Sequence, residues 1–230
     1  MNQLKDKVIF LTGGSSGIGA AAQRLLVEQG AKVFIMSRRE VAADSPNVQS
    51  FSGNVGNEVD VQTAFNRCVE VFGTVDVLIN NAGIGLATPD LAETDLSTFE
   101  QMVNTNMRGV FLCSREALKT MKPKGKGHIV NLVSMGGQRT NPTAPLYCAS
   151  KFGARGLSSG FADQVLKLGI KVTDVNPGPV DSDYWGDRQV PRVKFLKVED
   201  VANVILFVLN QPDYVVIREI NFDNMKFLAG

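Results

Sequence analysis

The stretch Val8-Ile9-Phe10-Leu11-Thr12-Gly13-Gly14-Ser15-Ser16-Gly17-Ile18-Gly19 joins a short apolar run to a turn rich in glycine. The apolar run predicts a β-strand, and the apolar spacing after the turn predicts a helix. Backbone N–H groups and the positive end of that helix can face a diphosphate, provided that no Cβ blocks the approach. Because the spacing differs from G-x-G-x-x-G, a turn that only packs a helix on a strand stays the alternative to a nucleotide site.

The same alternation of strand-like runs and helix-like stretches continues along the chain. Short β-branched or aromatic runs predict seven strands, at 8–11, 32–36, 48–51, 75–79, 128–132, 171–175 and 216–220. Apolar residues at helical spacing predict helices at 17–29, 58–72, 99–121, 147–168 and 199–210. Such alternation indicates repeated βαβ units. We therefore predict a single α/β domain over residues 1–230, a Rossmann-like, doubly wound, seven-stranded parallel sheet with helices on both faces.

Composition excludes some classes of partner. The 230 residues include 24 Lys and Arg against 23 Asp and Glu, a net charge of +1, without a long block of either sign, so no nucleic-acid or membrane partner is expected. No apolar run approaches the roughly 20 residues of a membrane-spanning helix. The first apolar run is too short for a signal peptide, so we expect a cytoplasmic protein. Cys68, Cys113 and Cys148 are widely spaced and expected to be reduced, and no metal site is predicted.

The end of the second predicted strand bears on the choice of cofactor. An acidic residue there would accept hydrogen bonds from the ribose of NAD, whereas arginine would pair with the 2′-phosphate of NADP. The strand ends in Ser37-Arg38-Arg39, which can form a phosphate clamp. A solvated basic turn is the alternative. After the glycine turn, we expect NADP(H) to be the cofactor, with NAD(H) as the alternative.

A second group of polar residues is suited to proton transfer. Tyr147 and Lys151 are four residues apart in a predicted helix and so share one face. Ser134 follows the fifth strand, and Asn106 lies within the long helix predicted at 99–121. Each alone has an ordinary structural interpretation, as an amphipathic pair, a cap or a solvent-facing amide. Together they supply a phenol, an amine, a hydroxyl and an amide that can act on a carbonyl oxygen.

At these positions the chain resembles the short-chain dehydrogenase/reductase family in its single-domain form. The turn at 12–19 resembles the cofactor turn of the family, and Asn80-Asn81-Ala82-Gly83 its motif after the fourth strand. Asn106, Ser134, Tyr147 and Lys151 match its catalytic tetrad, and Pro177-Gly178-Pro179-Val180 its motif after the sixth strand. The resemblance covers nearly the whole length of the chain.

The resemblance implies a role for each of the four tetrad residues. Tyr147 would donate a proton to the substrate oxygen while the nicotinamide delivers hydride to the carbonyl carbon. Lys151 would lower the pKa of Tyr147 and bind the cofactor ribose. Ser134 would hydrogen-bond the substrate oxygen, and Asn106 would hold a water of the proton relay. The expected activity is an NADP-dependent oxidoreductase that interconverts a small ketone or aldehyde and its alcohol. The stretch 215–220 resembles the broad-range carbonyl reductases and 3-hydroxy-acid dehydrogenases of the family more than its sterol enzymes.

The resemblance also implies the cofactor-binding residues and some departures from the family pattern. Asn54 stands where an aspartate usually contacts adenine, and its oxygen still accepts a hydrogen bond but carries no charge. Ser182 replaces a frequent threonine at the start of a short substrate lid at about 182–198. The expected cofactor-binding set is Gly13, Ser15, Ser16, Gly17, Ile18, Gly19, Ser37, Arg38, Arg39, Asn54, Val55, Asn80, Ala82, Gly83, Tyr147, Lys151, Pro177, Gly178, Val180 and Ser182.

Other interpretations stay open at this point. A dinucleotide-sensing or scaffold protein of the same fold is the first alternative, and an enzyme of isomerisation or dehydration is the second. Family members commonly form homodimers or homotetramers through the two long helices, and we expect the same here. Arg139 and Asn141 could contact substrate, and a solvated loop is the favoured interpretation. The only histidine, His128, is interpreted as structural.

Overall fold

The parallel sheet predicted from the alternating pattern is present in the computed structural model, which describes residues 3–42, 45–88 and 90–229. In chain order the strands are β1 Val8–Thr12, β2 Lys32–Ser37, β3 Val48–Ser52, β4 Val77–Asn80, β5 Gly127–Leu132, β6 Ile170–Pro177, β7 Val180–Asp181, β8 Leu196–Lys197 and β9 Glu219–Phe222. Within the described residues, seven strands form one sheet in the order β3-β2-β1-β4-β5-β6-β9, and all its pairings are parallel. The predicted seven-stranded, doubly wound, single-domain fold is confirmed.

Helices cover both faces of this sheet. They are α1 Gly17–Glu28, α2 Glu58–Phe72, α3 Leu96–Val103, α4 Gly109–Lys124, α5 Pro145–Leu166, α6 Val198–Leu209 and α7 Met225–Leu228. Buried residues of α1 and α6 pack with one face of the sheet, and those of α2, α4 and α5 pack with the other. Every residue of β1 is buried, as expected for a strand with a helical layer on each side.

Local sequence explains how individual helices begin and end. The Asn57 side chain accepts hydrogen bonds from Val59 N and Asp60 N, which caps the start of α2. The helix ends at Gly73, whose φ of 80° suits glycine. Pro145 occupies the first turn of α5, where its missing N–H costs nothing. These signals are local, and the bounds predicted for α2 are those observed.

The long helix predicted at 99–121 differs from prediction. It begins earlier, at Leu96, and a π-helical segment, Asn104–Arg108, lies between α3 and α4. Such segments occur mostly as single turns within α-helices and are frequent at functional sites. This one carries Asn106, whose side chain bonds both backbone polar groups of Ile84. A contact with a residue so distant in sequence explains why helical periodicity does not predict the π segment.

The last strand and the segment before it also differ from prediction. The strand expected at 216–220 is observed at Glu219–Phe222, because the ladder with β6 begins where Asp174 faces Glu219. The two-residue strands β7 and β8 pair with each other within or beside the predicted lid and are too short to leave a pattern. The three cysteines are free and buried, as expected. Burial raises the pKa of the Cys68 thiol to about 12.

Candidate active site

The carboxyl ends of the parallel strands surround a cavity of about 560 Å³. Open α/β sheets bind ligands at this edge, where the strand order reverses. The wall includes Ile18 from the glycine turn and Gly83 from the loop after β4. Ser134, Tyr147 and Lys151 line the same cavity. The glycine turn and three members of the predicted tetrad, which are far apart in sequence, therefore meet in one place, whereas Asn106 is not among the residues that line the cavity.

At Gly13 and Gly19, between the end of β1 and the first turn of α1, there is no room for a side chain. A Cβ on Gly13 would lie 2.9 Å from Ala82 Cα, and Gly13 has a φ of 70°. A Cβ on Gly19 would lie 2.2 Å from Gly13 O and 2.6 Å from Asn81 Nδ2. The N-cap residue of α1, Ser16, makes no capping bond with its side chain. Backbone atoms thus form a cradle at the N-terminus of a helix of 12 residues, a good site for an anion.

Asn81 ties this cradle to the loop after β4. Its Nδ2 donates to Thr12 O at 2.9 Å and to Gly13 O at 3.0 Å. In return, Thr12 Oγ1 accepts from Asn81 N and Ala82 N, each at 3.0 Å. Sequence reasoning left Asn81 out of the site, although its motif 80–83 was the available signal. The preceding Asn80 turns inward, and its Nδ2 donates to Asn131 Oδ1 at 2.8 Å.

The residues expected near the adenosine end of a cofactor occupy three environments. Arg39 reaches the glycine turn, where its guanidinium donates to Ser16 Oγ at 2.8 Å and Ser15 Oγ at 3.4 Å. Arg38 is exposed, whereas Ser37 is buried and its hydroxyl donates to Arg39 O at 2.5 Å. The remaining two candidates lie after β3: Asn54 is exposed and its Oδ1 accepts from Gly56 N at 2.9 Å, while Val55 is buried and lies against Gly109.

Asn106 links the loop after β4 to helix α5. Its Nδ2 donates to Ile84 O at 2.8 Å and to Ser150 Oγ at 2.9 Å, while its Oδ1 accepts from Ile84 N at 2.9 Å. The side chain is 1% exposed. Ser150 immediately precedes Lys151, so the amide of Asn106 fixes the part of α5 that carries the predicted amine.

Tyr147, Lys151 and Ser134 converge on the cavity from α5 and from the turn after β5. Lys151 Nζ donates to Leu132 O at 2.8 Å and lies 6.0 Å from the centroid of the Tyr147 ring. Ser134 Oγ accepts from Gly136 N at 2.9 Å. Its φ of 156° and ψ of 159° fall in a region that residues other than glycine seldom adopt. The arrangement places a phenol, a hydroxyl and an amine where one small molecule can contact them.

Burial governs the ionisation of this group. It raises the pKa of Tyr147 and outweighs the hydroxyls of Ser134 and Tyr184, which lower that pKa by hydrogen bonding. It also lowers the pKa of Lys151 to about 8, against the opposing pull of the Asp174 carboxylate. Desolvation thus favours the neutral form of both groups, and the expectation that Lys151 lowers the pKa of Tyr147 stays a prediction.

Beneath the tetrad lies a buried polar network that sequence reasoning missed. Asp174 Oδ1 accepts from Ser158 Oγ at 2.5 Å and from Asn131 Nδ2 at 3.0 Å. Asn131 in turn accepts from Asn80, so the network reaches from β6 through β5 to β4. Burial raises the pKa of Asp174 to about 6, although both hydrogen bonds oppose the shift. A carboxylate inside the apolar run 171–175 was the only signal in the sequence.

The segment after β6 closes one side of the cavity. Pro177, Gly178, Val180 and Ser182 all line it. A Cβ on Gly178 would lie 2.0 Å from an oxygen of Asp223, so the chain passes directly under that carboxylate.

The loop after Ser134 also contributes to the cavity wall. Arg139 and Asn141, interpreted from sequence as a solvated loop, line the cavity although both are exposed. The guanidinium of Arg139 pairs with Asp223 at 3.1 Å. The loop is therefore held against the C-terminal part of the chain, within reach of a ligand.

His128 lies at the opposite edge of the sheet. Its Nε2 is 2.9 Å from Thr173 Oγ1, and burial lowers its pKa to about 3. The Thr173 hydroxyl donates to Ile217 O at 2.7 Å, so the imidazole must be the donor to Thr173. His128 is thus a neutral, hydrogen-bonded core residue, far from the chemistry of the cavity.

The part of the chain that the structure describes has neither a metal-binding cluster nor a helix that could span a membrane. No group of three or more His, Cys, Asp or Glu side chains within residues 3–42, 45–88 and 90–229 is arranged to hold a metal ion. No helix in the same ranges is both long enough and apolar enough to cross a membrane.

Comparison with known proteins gives matches along nearly the whole chain. A family model described as short chain dehydrogenase matches residues 7–191. An uncharacterised oxidoreductase of Staphylococcus saprophyticus is 31% identical over 230 residues, which cover 96% of this chain and 98% of that protein. The 3-ketoacyl-(acyl-carrier-protein) reductase of Brucella melitensis, solved with NADH, superposes with a TM-score of 0.90 at 25% identity, covering 97% of this chain and 99% of that one. An alcohol dehydrogenase of Thermococcus sibiricus, solved with 5-hydroxy-NADP, has a TM-score of 0.85 at 25% identity, covering 96% and 97%.

Proposed function

The chain belongs to the short-chain dehydrogenase/reductase family, and from that premise we propose that it is an NADP-dependent oxidoreductase interconverting a small ketone or aldehyde and its alcohol. One observation carries the proposal. Ser134, Tyr147 and Lys151 line the same cavity of about 560 Å³ as Ile18 and Gly83, which flank the glycine cradle. A proton donor and a dinucleotide cradle that share one cavity are what such a reaction requires.

The residues of the cradle fit a dinucleotide. Side chains are excluded at Gly13 and Gly19, so the backbone can approach a diphosphate closely. The first turn of α1 offers N–H groups to the same anion. Arg39, Asn54, Val55 and the loop at 80–83 would hold the adenosine end. When bound, the nicotinamide supplies the hydride for the carbonyl carbon.

The side chains of the tetrad handle the substrate oxygen. Tyr147 would donate its proton to this oxygen during reduction and take it back during oxidation. Desolvation raises the pKa of the half-buried Tyr147, which keeps this residue in its neutral, proton-donating form and suits the reductive direction. Ser134 would donate a hydrogen bond to the same oxygen. Asn106 supports these groups through Ser150, one residue before Lys151.

The preference for NADP rests on Arg39. A guanidinium beside Ser15 and Ser16 is placed to meet a 2′-phosphate, which it can bind through two parallel hydrogen bonds. The described part of the second strand's end, 37–40, has only Glu40 as a carboxylate, and that residue is exposed. The solved relatives include one with NADH and one with an NADP derivative, so their cofactors do not distinguish between NADP and NAD for this protein.

The protein's assembly and its lid belong to the same proposal. Segment 182–198 would cover a bound substrate. Met107, Phe111 and Phe152 expose apolar side chains on the outer faces of the two long helices, with exposed fractions of 39%, 45% and 39%. This exposure supports a homodimer or homotetramer formed through those helices. The cytoplasmic location expected from the sequence stays a prediction.

The test is oxidation of NADPH and NADH in the presence of a panel of small ketones and aldehydes. We expect turnover with NADPH, and loss of about two to four orders of magnitude in kcat for Tyr147→Phe. Nucleotide binding, followed by fluorescence titration, is expected to be largely intact in that variant. Tyr214→Phe is the matched control, because Tyr214 is 87% exposed and lies outside the cavity.

Three outcomes would contradict the proposal. Nucleotide binding without turnover of any carbonyl compound would favour the sensing or scaffold alternative. Product formation without net cofactor consumption would favour isomerisation or dehydration. Turnover that survives in Tyr147→Phe would remove Tyr147 from its proposed role.

A further inference from the structure

A second phenol lies beside Tyr147 in the cavity. Tyr184 belongs to a short 3-10 turn, Asp183–Trp185, within segment 182–198. The two phenol rings have centroids 6.0 Å apart and planes inclined by 60°, and both residues line the cavity. The hydroxyl of Tyr184 is close enough to act on Tyr147 as a hydrogen-bonding partner. Tyr184 is not one of the four tetrad residues, so the proposed reaction gives its hydroxyl no role.

The loop after β4 leaves space for this phenol. A Cβ on Gly85 would lie 1.6 Å from the Tyr184 hydroxyl oxygen and 2.4 Å from Cζ. Any side chain at position 85 would therefore displace the phenol. Gly85 and Tyr184 come from distant parts of the chain, and the fit between them holds the hydroxyl on the side of Tyr147.

Contacts within segment 182–198 hold Tyr184 in position. The guanidinium of Arg188 lies 5.0 Å from the centroid of the Tyr184 ring and 4.9 Å from that of Trp185. Arg188 also donates to Tyr184 O and, at 2.8 Å, to Trp185 O. Trp185 Nε1 donates to Val180 O at 2.8 Å, which anchors the segment to β7. These contacts fix the position of the Tyr184 hydroxyl, so the side chain loses little conformational freedom when it forms a hydrogen bond.

We propose that Tyr184 is a positioning residue for Tyr147, and that its hydroxyl donates a hydrogen bond to the Tyr147 oxygen when segment 182–198 covers the cavity. The inference rests on the proposed function. When Tyr147 passes its proton to the substrate oxygen, a phenolate remains on Tyr147, and a donor aimed at that oxygen stabilises it. Tyr184 keeps its own proton throughout, so no other group is oxidised or reduced. The segment that covers the substrate thus also carries the hydroxyl that stabilises the Tyr147 phenolate.

The charges around the pair favour Tyr184 as the donor. Tyr184 is 37% exposed, and desolvation of its covered part raises its pKa against the opposing effect of Arg188, so it stays protonated. The hydrogen bond between the two hydroxyls lowers the pKa of Tyr147 and raises that of Tyr184, the sense expected when Tyr184 donates and Tyr147 accepts. The titratable or charged groups that face the pair are Lys151 and Cys148 on α5, Arg139 with its partner Asp223, and Arg188; Asp174 acts on Lys151 from behind.

The main experiment compares the pH dependence of alcohol oxidation in the wild type and Tyr184→Phe. The variant keeps the ring and its contacts with Trp185 and Arg188 and loses only the hydroxyl. We expect the apparent pKa of kcat/KM to rise by about one unit, with kcat at neutral pH reduced about tenfold. Nucleotide affinity should not change. Tyr214→Phe should give the wild-type profile.

Gly85→Ala provides an independent route to the same interaction. Its methyl group displaces the Tyr184 hydroxyl, so this variant should show a similar rise of the apparent pKa. In the Tyr184→Phe background, Gly85→Ala should add no further shift, because the hydrogen bond is already absent. Additive shifts in the double variant would contradict the proposal.

A second readout does not depend on turnover. The chain has three tyrosines, so ultraviolet phenolate absorbance can be assigned with the variants Tyr147→Phe, Tyr184→Phe and Tyr214→Phe. The titration of Tyr147 should move to higher pH in Tyr184→Phe.

An unmoved titration with an unmoved pH profile overturns the proposal, even if carbonyl reduction is established. A rise in kcat with a lower KM in Tyr184→Phe also overturns it, because Tyr184 would then be an obstacle to substrate. If no carbonyl compound is reduced, the titration still decides the role of Tyr184.

Discussion

The two sides of the cavity are built by opposite means. On the cradle side, Gly13 and Gly19 bring backbone against backbone, and the site exists because side chains are missing. On the catalytic side, Lys151 and Asp174 are buried and Tyr147 is half-buried, and the pKa values of all three are shifted by desolvation. The first side depends on steric fit, so substitutions there should act through packing. The second depends on buried charge, so substitutions there should act through pH.

The largest expected effect tests the steric side. In Gly19→Ala, the added Cβ would lie 2.2 Å from Gly13 O, a backbone atom that cannot rotate away. We expect the free energy of unfolding to fall by about 3 kcal/mol or more and nucleotide binding to be lost. Urea unfolding and a fluorescence titration with NADPH are the measurements. Arg24→Ala in the same helix is the control, because its side chain is 62% exposed and its ion pair with Glu199 should contribute under about 1 kcal/mol.

A stable Gly19→Ala variant that binds NADPH normally would contradict the claim that the cradle side depends on steric fit. It would mean that the turn and the loop at 80–83 can separate without cost. The effect should also be the same at acid and neutral pH, since no ionisable group takes part in the clash.

The difference between the two sides also explains how much the sequence could predict. The cradle lies within 12 consecutive residues, and its glycines are a local pattern, so its place between strand and helix was predictable. The tetrad was found through resemblance, because Asn106 and Tyr147 come together only in the fold. The shifted pKa values of Tyr147 and Lys151 were not predictable, since they depend on burial by the whole structure. The contact of Tyr184 with Gly85 joins two loops and leaves no periodic signal.

The second prediction concerns the buried charge on the catalytic side. Asp174 has a pKa of about 6 in the fold against an ordinary value of 3.8. Between these values the folded state binds more protons than the unfolded one, so stability falls as pH rises through about 6. Asp174→Asn removes the charge and keeps an oxygen for Ser158 and Asn131. We expect the variant to be more stable than the wild type by about 1 to 3 kcal/mol above pH 6, with no gain below about pH 4.

Urea unfolding of both proteins at about pH 4 and about pH 7.5 measures this difference. Asp163→Asn, on the same helix as Ser158, is the control, because the Asp163 side chain is 78% exposed and pairs with Arg218 at the surface. The control should change stability by less than about 1 kcal/mol at either pH. An Asp174→Asn variant that loses stability at about pH 7.5 would mean that the carboxylate is stabilised by its network, and that the catalytic side does not carry a buried-charge penalty.

The smallest expected effect concerns the one side chain on the cradle side that should act through charge. Arg39 and the neighbouring Arg38 are both exposed, and Arg39 donates to Ser15 and Ser16 in the glycine turn, where it would meet a 2′-phosphate. Arg39→Ala is expected to weaken NADPH binding by about tenfold to a hundredfold and to leave NADH binding unchanged. Arg38→Ala should have a smaller effect, and titrations at low and high salt should show the loss shrinking as salt rises. If Arg39→Ala weakens the binding of NADPH and NADH equally, this guanidinium supports the turn and does not recognise the 2′-phosphate. The cradle would then depend on steric fit alone.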